Sequence, residues 1–291
     1  MKVTANLKFF LKGVLPPKLR NHLKRLKRHL KERMKGNIPP TSLDELKEVL
    51  INDLGLRSGD KIIVSSGFGN LNANYSPQEV IKLLQSIVTK NGVIMMAYYP
   101  PMNSDEWAKG NHVFDMKNTK SGMGILTNVF SKMPGVYKSV HPTKAVCVWG
   151  KDAEILTEGH ETSQTPFYWD SPYGKLLKEG CKSLGLGVKN IPIFHALEDI
   201  LSKDKTECYL PDKFFLKVKL ENGDEKEVRT YVHNGKLMDS AISAGDYVAS
   251  LYCETYKRVN FGFSFIYIID NTDLYNKVKM EYEQNITRFK R

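Results

Sequence analysis

Short apolar runs alternate with amphipathic helices through the body of this chain, and that alternation constrains the fold more than any other feature. Residues 61–66, built on Ile62, Ile63 and Val64, read as a short buried strand. A helix follows over 76–90 with Pro77 in its first turn, and 93–98 is a second apolar strand. The pattern returns with a helix over 122–132, a strand near 144–149, a helix over 172–179 and a strand over 181–188. Such an order gives an α/β domain, and 291 residues are enough to bury one substantial core. Ahead of the first strand, Thr41-Ser42-Leu43-Asp44-Glu45 opens a helix that runs to about Asp53. From residue 213 the character changes. Residues 214–220 alternate, Glu221-Asn222-Gly223-Asp224 turns the chain, and 225–232 returns as a β-hairpin. The stretch 99–121 reads as a long polar and aromatic connection, of a length that in a compact domain is usually functional or disordered.

The net charge of +11 sits in one place. Residues 1–37 hold twelve Lys or Arg against Glu32 alone, while the rest of the chain balances 31 bases with 31 acids. After Pro16-Pro17, the apolar residues Leu19, Leu23, Leu26, Leu30 and Met34 fall on one stripe of a basic helix. Asn37 and Pro39-Pro40 break it. The chain therefore divides into a basic amphipathic arm and linker over 1–40 and a charge-balanced domain over 41–291. A basic helix with an apolar stripe, preceded by Phe9 and Phe10, suits an anionic membrane surface, which residues 1–35 would contact. A partner subunit and a nucleic-acid backbone compete for the same arm; nucleic acid is disfavoured because it has no need of the two phenylalanines.

No apolar run approaches the roughly 20 residues that span a bilayer, and the N-terminus lacks a signal peptide's uninterrupted apolar core. The expected location is the cytoplasm, with the arm peripheral on the inner face of the membrane. Cys147, Cys181, Cys208 and Cys253 form no C-x-x-C pair, so free thiols in a reducing compartment are expected, with neither a structural zinc nor any other metal.

Two groups of segments carry chemistry. The first is Phe114-Asp115, then Gly122-Met123-Gly124-Ile125-Leu126, then Lys138-Ser139-Val140-His141-Pro142. The second is Ser171-Pro172-Tyr173-Gly174-Lys175-Leu176, then Leu184-Gly185-Leu186-Gly187-Val188, ending in His195-Ala196-Leu197-Glu198. In order and spacing these resemble the hallmark segments of the aminoglycoside 3-N-acetyltransferase family. Those are F-D before a helix with an early Gly, R-S-x-H-P, s-P-x-x-x-L, an L-L-G-V strand and an H-x-x-E helix. The resemblance covers about residues 42–270 and leaves the arm out.

The resemblance implies an α/β fold with a mixed β-sheet core flanked by helices, an acyl-CoA donor such as acetyl-CoA, an amine acceptor, and direct transfer without a covalent enzyme intermediate. His141 stands at the family's H-P histidine, and His195 and Glu198 fill the H-x-x-E positions. The chemistry is compatible, since an amine that arrives as ammonium must lose a proton and histidine is the natural base near neutral pH. His141 is accordingly expected as general base with Glu198 fixing its tautomer, and Asp115, His195 and Asp170 at the acceptor. Ser65 and Ser66, at a strand end, and Ser121 and Gly124, where helix amides point outward, are expected at the coenzyme. Plainer readings stand beside these: His141 caps or packs before a strand, His195 is structural, and Asp115 caps the turn that follows it.

Two departures stand out. The family's H-S-S is Ser65-Ser66-Gly67 here, and the arginine of R-S-x-H-P is Lys138. They keep a second reading open, a catalytically degenerate member of the family acting as a membrane- or nucleic-acid-associated scaffold. No G-x-S-x-G elbow surrounds any serine, and Gly185-Leu186-Gly187 falls short of a dinucleotide fingerprint and reads as close packing. Residues 152–170 carry Asp152, Glu154, Glu158, Glu161 and Asp170 without a base, beside Phe167-Tyr168-Trp169. Acids beside aromatics suit an amino sugar; a solvated acidic loop is the competing reading. The arm makes a cell-envelope glycan precursor a better fit than a drug as acceptor. A homo-oligomer is compatible with the sequence.

Overall fold

The computed structural model describes residue 36 and residues 38–289. The expected basic helix over 1–35 lies outside the described residues. The strands are β1 (Lys61–Ser66), β2 (Val93–Ala97), β3 (Phe114–Asp115), β4 (Val136–Lys138), β5 (Val146–Gly150), β6 (Lys182–Leu186), β7 (Phe214–Lys219), β8 (Glu225–Thr230), β9 (Lys257–Phe261) and β10 (Ser264–Asp270). The α-helices are α1 (Leu43–Glu48), α2 (Pro77–Val88), α3 (Ser104–Lys109), α4 (Ile125–Phe130), α5 (Ala153–Thr157), α6 (Pro172–Lys178), α7 (Phe194–Leu201), α8 (Gly235–Ser240), α9 (Ala244–Val248) and α10 (Asn271–Glu283). The local chemistry explains the starts. Ser42 with Glu45 and Ser76 with Glu79 form capping boxes on α1 and α2, and Pro77 and Pro172 sit where a helix has no use for the missing N–H.

Seven strands make one mixed sheet in the order β4-β5-β2-β1-β6-β10-β9. Its centre, β2-β1-β6, is parallel; β5 and β4 on one side and β10 and β9 on the other run antiparallel. Side chains alternate across it, as the pleat requires. Ile62, Val64, Ile94, Met96 and Leu184 pack with Leu46, Val80, Leu84 and Phe130 of the helices on one face. Ile63, Val93, Met95, Tyr267 and Ile269 pack with Tyr173, Leu176, Leu197, Tyr247 and Leu274 on the other. This covering of both faces is what the continuous apolar runs of the parallel strands demand. The result is the mixed sheet flanked by helices that the family resemblance implied.

A smaller sheet, β3-β7-β8, packs Val218, Val228 and Phe114 against the first face. Its presence corrects the reading of 99–121 as a bare connection. That stretch contains α3, with Trp107 and Ala108 buried, and β3, whose fully buried Phe114 pairs with Val218. A two-residue strand whose partner lies a hundred residues away leaves no local period to read. The helix expected over 122–132 is shorter than its apolar pattern. Gly124 holds φ at +103°, which no helix tolerates, and Gly122 presses so close to Pro101 that a Cβ would lie 2.7 Å from its Cα. Gly185 does serve close packing, since an added Cβ would meet the Tyr267 ring of β10 at 1.8 Å. The four cysteines are free and buried. Among the described residues no helix is long and apolar enough to cross a membrane, and no three His, Cys, Asp or Glu side chains gather as for a metal ion.

Candidate active site

The carboxyl ends of β1 and β6 are tied together through the connections that leave them. Ser65 Oγ donates to the Asn190 carbonyl at 2.8 Å, and the Tyr267 hydroxyl donates to the same oxygen. Asn70 Nδ2 donates to the Gly187 carbonyl at 2.8 Å. These bonds fix the loop that leads from β6 into α7. Ser66 Oγ is buried and has no hydrogen-bond partner among the described residues. A hydroxyl cut off from water and left unpaired is the kind of group that a polar ligand atom completes. The turn over 121–124 approaches the same strand end, because the Cβ that Gly124 lacks would lie 3.6 Å from the Ser66 carbonyl. Within that turn Ser121 Oγ accepts the Met123 N–H at 3.0 Å.

Outward from the turn runs a groove of about 740 Å³ lined by Lys117, Lys120, Lys132 and Asn128. A hollow of about 280 Å³ shares Lys117 and Lys132 with it and adds Lys138. Lys138 also donates to the Met116 carbonyl and stands 4.4 Å above the Tyr98 ring. Positive charge on this side comes from lysines, since α4 is only six residues long.

On α7, His195 and Glu198 stand one turn apart and therefore on one face. His195 Nδ1 donates to Glu198 Oε2 at 3.1 Å. The Glu198 carboxylate is 1% exposed and is also gripped by the Arg288 guanidinium, through Nε to Oε1 and through Nη2 to Oε2 at 3.0 Å. Burial pushes the Glu198 pKa up, but the hydrogen bonds from His195 and Arg288 and the Arg288 charge outweigh it, so the group stays below its ordinary value. Burial lowers the His195 pKa, and Glu198 opposes this only in part. The imidazole is therefore neutral near pH 7. Its tautomer is fixed with the proton on Nδ1, and its side chain keeps 30% of its surface exposed. Among the described residues nothing bonds Nε2. Phe167 lies 5.5 Å from the His195 ring, His233 lies 5.0 Å from it, and His233 is stacked between Phe167 and Tyr209.

His141 is placed differently. It lies in the β4–β5 connection, 1% exposed, with Nδ1 accepting the backbone N–H groups of Thr143 at 3.2 Å and Lys144 at 3.0 Å. Nε2 donates to Thr230 Oγ1 of β8 at 3.1 Å. Burial, the neighbouring His160 and Lys144 hold its pKa well below 6.5. The expectation that Glu198 orients His141 is thus corrected: backbone amides set the His141 tautomer, and Glu198 orients His195. The His160 ring packs tilted against His141 with centroids 4.6 Å apart, and His160 accepts the Ser139 hydroxyl at 2.8 Å, so the Ser-x-His-Pro segment is held from both sides.

Asp115 and Asp170, also expected at the acceptor, are held by local bonds. The Asp115 carboxylate accepts the Lys117 and Asn118 N–H groups at 2.8 Å and so caps its own turn. Asp170 is exposed and accepts the Gln164 N–H at 3.0 Å. Of the neighbouring aromatics only Phe167 reaches the His195 site; Tyr168 and Trp169 are covered by Lys205 and Lys178. Three residues at the site went unread in the sequence: Arg288, His233 and Lys144. Arg288 lies 90 positions from Glu198 with no motif around it, and His233 is a lone histidine. Lys144 did leave a signal, a base three places after the H-P histidine. It is half-buried, with Nζ 4.6 Å from the Tyr99 ring centroid. Burial lowers its pKa to about 8 against an opposing pull from Asp105.

A family model described as aminoglycoside 3-N-acetyltransferase matches residues 63–282. The SPbeta prophage-derived aminoglycoside N(3')-acetyltransferase-like protein YokD of Bacillus subtilis (strain 168) is 26% identical over 164 residues, which are 49% of this chain and 60% of that protein. Among solved structures, the AAC-IIIb binary complex with CoASH superposes with a TM-score of 0.66 at 18% identity, covering 85% of this chain and 98% of its own. Sisomicin-bound AAC-VIa superposes with a TM-score of 0.69 at 20% identity, covering 86% of this chain and 100% of its own.

Proposed function

The chain belongs to the aminoglycoside 3-N-acetyltransferase family, and from that premise we propose that it transfers an acetyl or other short acyl group from coenzyme A to the amine of an amino sugar. The observation that carries the reading is the His195–Glu198–Arg288 chain, in which one imidazole nitrogen is locked on a buried carboxylate while the other makes no bond among the described residues, on a side chain that is 30% exposed. Glu198 stabilises the imidazolium that forms when Nε2 takes a proton. The acceptor arrives as ammonium, loses one proton to solvent to become the free amine, and gives a second to Nε2, which passes it on to the leaving sulfur, as nitrogen attacks the thioester carbonyl carbon. The carbon–sulfur bond breaks, and the electron pair leaves on the coenzyme's sulfur. His141 acts as a positioning residue, because both of its ring nitrogens are already engaged.

For the donor, the unpaired Ser66 hydroxyl offers a bond near the thioester, and Lys117, Lys120 and Lys132 offer cations to the coenzyme's phosphates. The CoASH complex of AAC-IIIb supports the donor class, and the sisomicin complex of AAC-VIa supports an amine-bearing sugar as acceptor class. The basic arm over 1–35, with its apolar stripe, supports an acceptor met at an anionic membrane face, as a cell-surface glycan precursor would be.

The test measures thiol release from acetyl-CoA with a panel of amino sugars, alongside melting temperatures, in the wild type, His195→Asn and His141→Asn. His195→Asn is expected to lose roughly 100- to 10,000-fold in kcat/KM with its melting temperature kept. His141→Asn is expected to lose stability first. Full turnover in His195→Asn, with loss confined to a stably folded His141→Asn, would return the base to His141. Absence of acetyl-CoA binding in the wild type would favour the non-catalytic scaffold.

A further inference from the structure

Most charges around the His195 site are matched by a contact. Arg288 sits on Glu198, Lys205 on Asp199 at 3.1 Å, and Lys226 on Glu161 at 2.7 Å. Lys144 is not. Among the described residues no carboxylate comes within 4.0 Å of its ammonium, which rests on the Tyr99 ring at 4.6 Å. Asp105 is near enough to pull on it, yet its Oδ2 faces Lys109 at 3.9 Å and its buried Oδ1 bonds nothing described.

The setting around Lys144 is rigid. Tyr99 is pinned by its hydroxyl to that of Tyr173 at 2.6 Å, and its ring meets Phe167 edge-on at 6.4 Å. Phe167 in turn packs on His195. The backbone N–H of Lys144 donates to His141, so the residue cannot drift from the Ser-x-His-Pro turn. Through Tyr99 and Phe167 the ammonium is linked by ring packing to His195.

A half-buried ammonium without a contacting counter-ion is costly to keep, and a phosphate or carboxylate is the group that relieves it. A polycationic acceptor would bring like charge to the same point. We propose that the acceptor is an amino sugar carrying an anionic group, phosphate or carboxylate, and that Lys144 binds this anion while the amine faces His195. The proposal rests on the acyltransfer reading for the amine's fate; the anion site itself does not depend on it.

Isothermal titration of the full chain tests it, with glucosamine 6-phosphate, galactosaminuronate, glucosamine and sisomicin as probes, each with and without coenzyme A. In the wild type at least one anionic sugar is expected to bind about tenfold or more tighter than glucosamine. Lys144→Met should erase that preference, leaving glucosamine affinity unchanged and the melting temperature no lower than wild type, whereas Lys144→Arg should keep it within about threefold. The stronger of the two anionic probes identifies phosphate or carboxylate as the group read. Equal affinity for sugars with and without the anionic group, a preference for sisomicin, or an undiminished preference in Lys144→Met would each overturn the proposal and reduce Lys144 to packing on Tyr99. If coenzyme A produces no heat while the anion preference survives, the anion site stands and the acyltransfer reading falls.

Discussion

His195 has to be neutral to take a proton, and its surroundings decide how far into acid that remains true. Burial lowers its pKa below 6.5 and Glu198 restores part of the difference, so the neutral form persists below the pH at which a free histidine would charge. The acid limb of kcat/KM is therefore expected to have its midpoint below 6.5, since rate is lost only as pH falls through the folded pKa. A midpoint above 6.5 would indicate a different base. Glu198 matters to stability as well. Replacing it with Gln leaves the Arg288 guanidinium, itself 7% exposed, buried without a counter-charge. Removing one member of such a pair costs about 3–5 kcal/mol, a loss readable in guanidinium unfolding at pH 7. A variant within about 1 kcal/mol of wild type would mean that water reaches Arg288 and solvates it.

Strands β6 and β10 show how a motif strand and a neighbour without a motif together hold the site. Gly185 opposes Tyr267 across the antiparallel pair, and the ring lies over the glycine at a distance that excludes a methyl group. The same ring carries its hydroxyl to the Asn190 carbonyl, where Ser65 also donates. Gly185→Ala should push Tyr267 aside, costing about 1–3 kcal/mol in denaturant unfolding, and loosen the loop before His195. A stability unchanged within error would show that the ring can turn away freely. The sequence carried much at this scale: β1 has the residues its apolar run suggested, α2 and α6 start at their prolines, and the hairpin turns at Asn222-Gly223. What stayed hidden was pairing at long range. Local pattern marked His195 and Glu198 as one unit three residues apart, but nothing local tells whether Glu198 reaches His195 or His141. That choice is made by the second sheet, whose Thr230 occupies His141, and by Arg288 from the far end of the chain.

Taken over the whole molecule, the arrangement stores a sensitivity to acid. His141, His160 and His233 are all buried, and burial is the first cause of lowered pKa in each, to about 4 for His160. In the unfolded chain these groups protonate near 6.5. Between that value and their folded pKa the unfolded state binds more protons, so stability must fall as pH falls below 6.5. For His160 alone the difference amounts to about 3 kcal/mol once the pH is below 4. Glu198 and Glu161, whose folded pKa values are lowered, add their losses only below the carboxylate range. Asp199, raised by burial, works in the opposite sense. Equilibrium unfolding at pH 7.5, 6 and 5 should therefore show a steady decline before any carboxylate titrates, and His160→Gln should flatten it. A constant stability over that range would mean that the histidines charge without unfolding the chain. The decline has a functional side. His160 packs against His141, and His141 holds the backbone of Lys144, so protonation of either ring would disturb the turn that carries Lys144 before the sheet itself gives way.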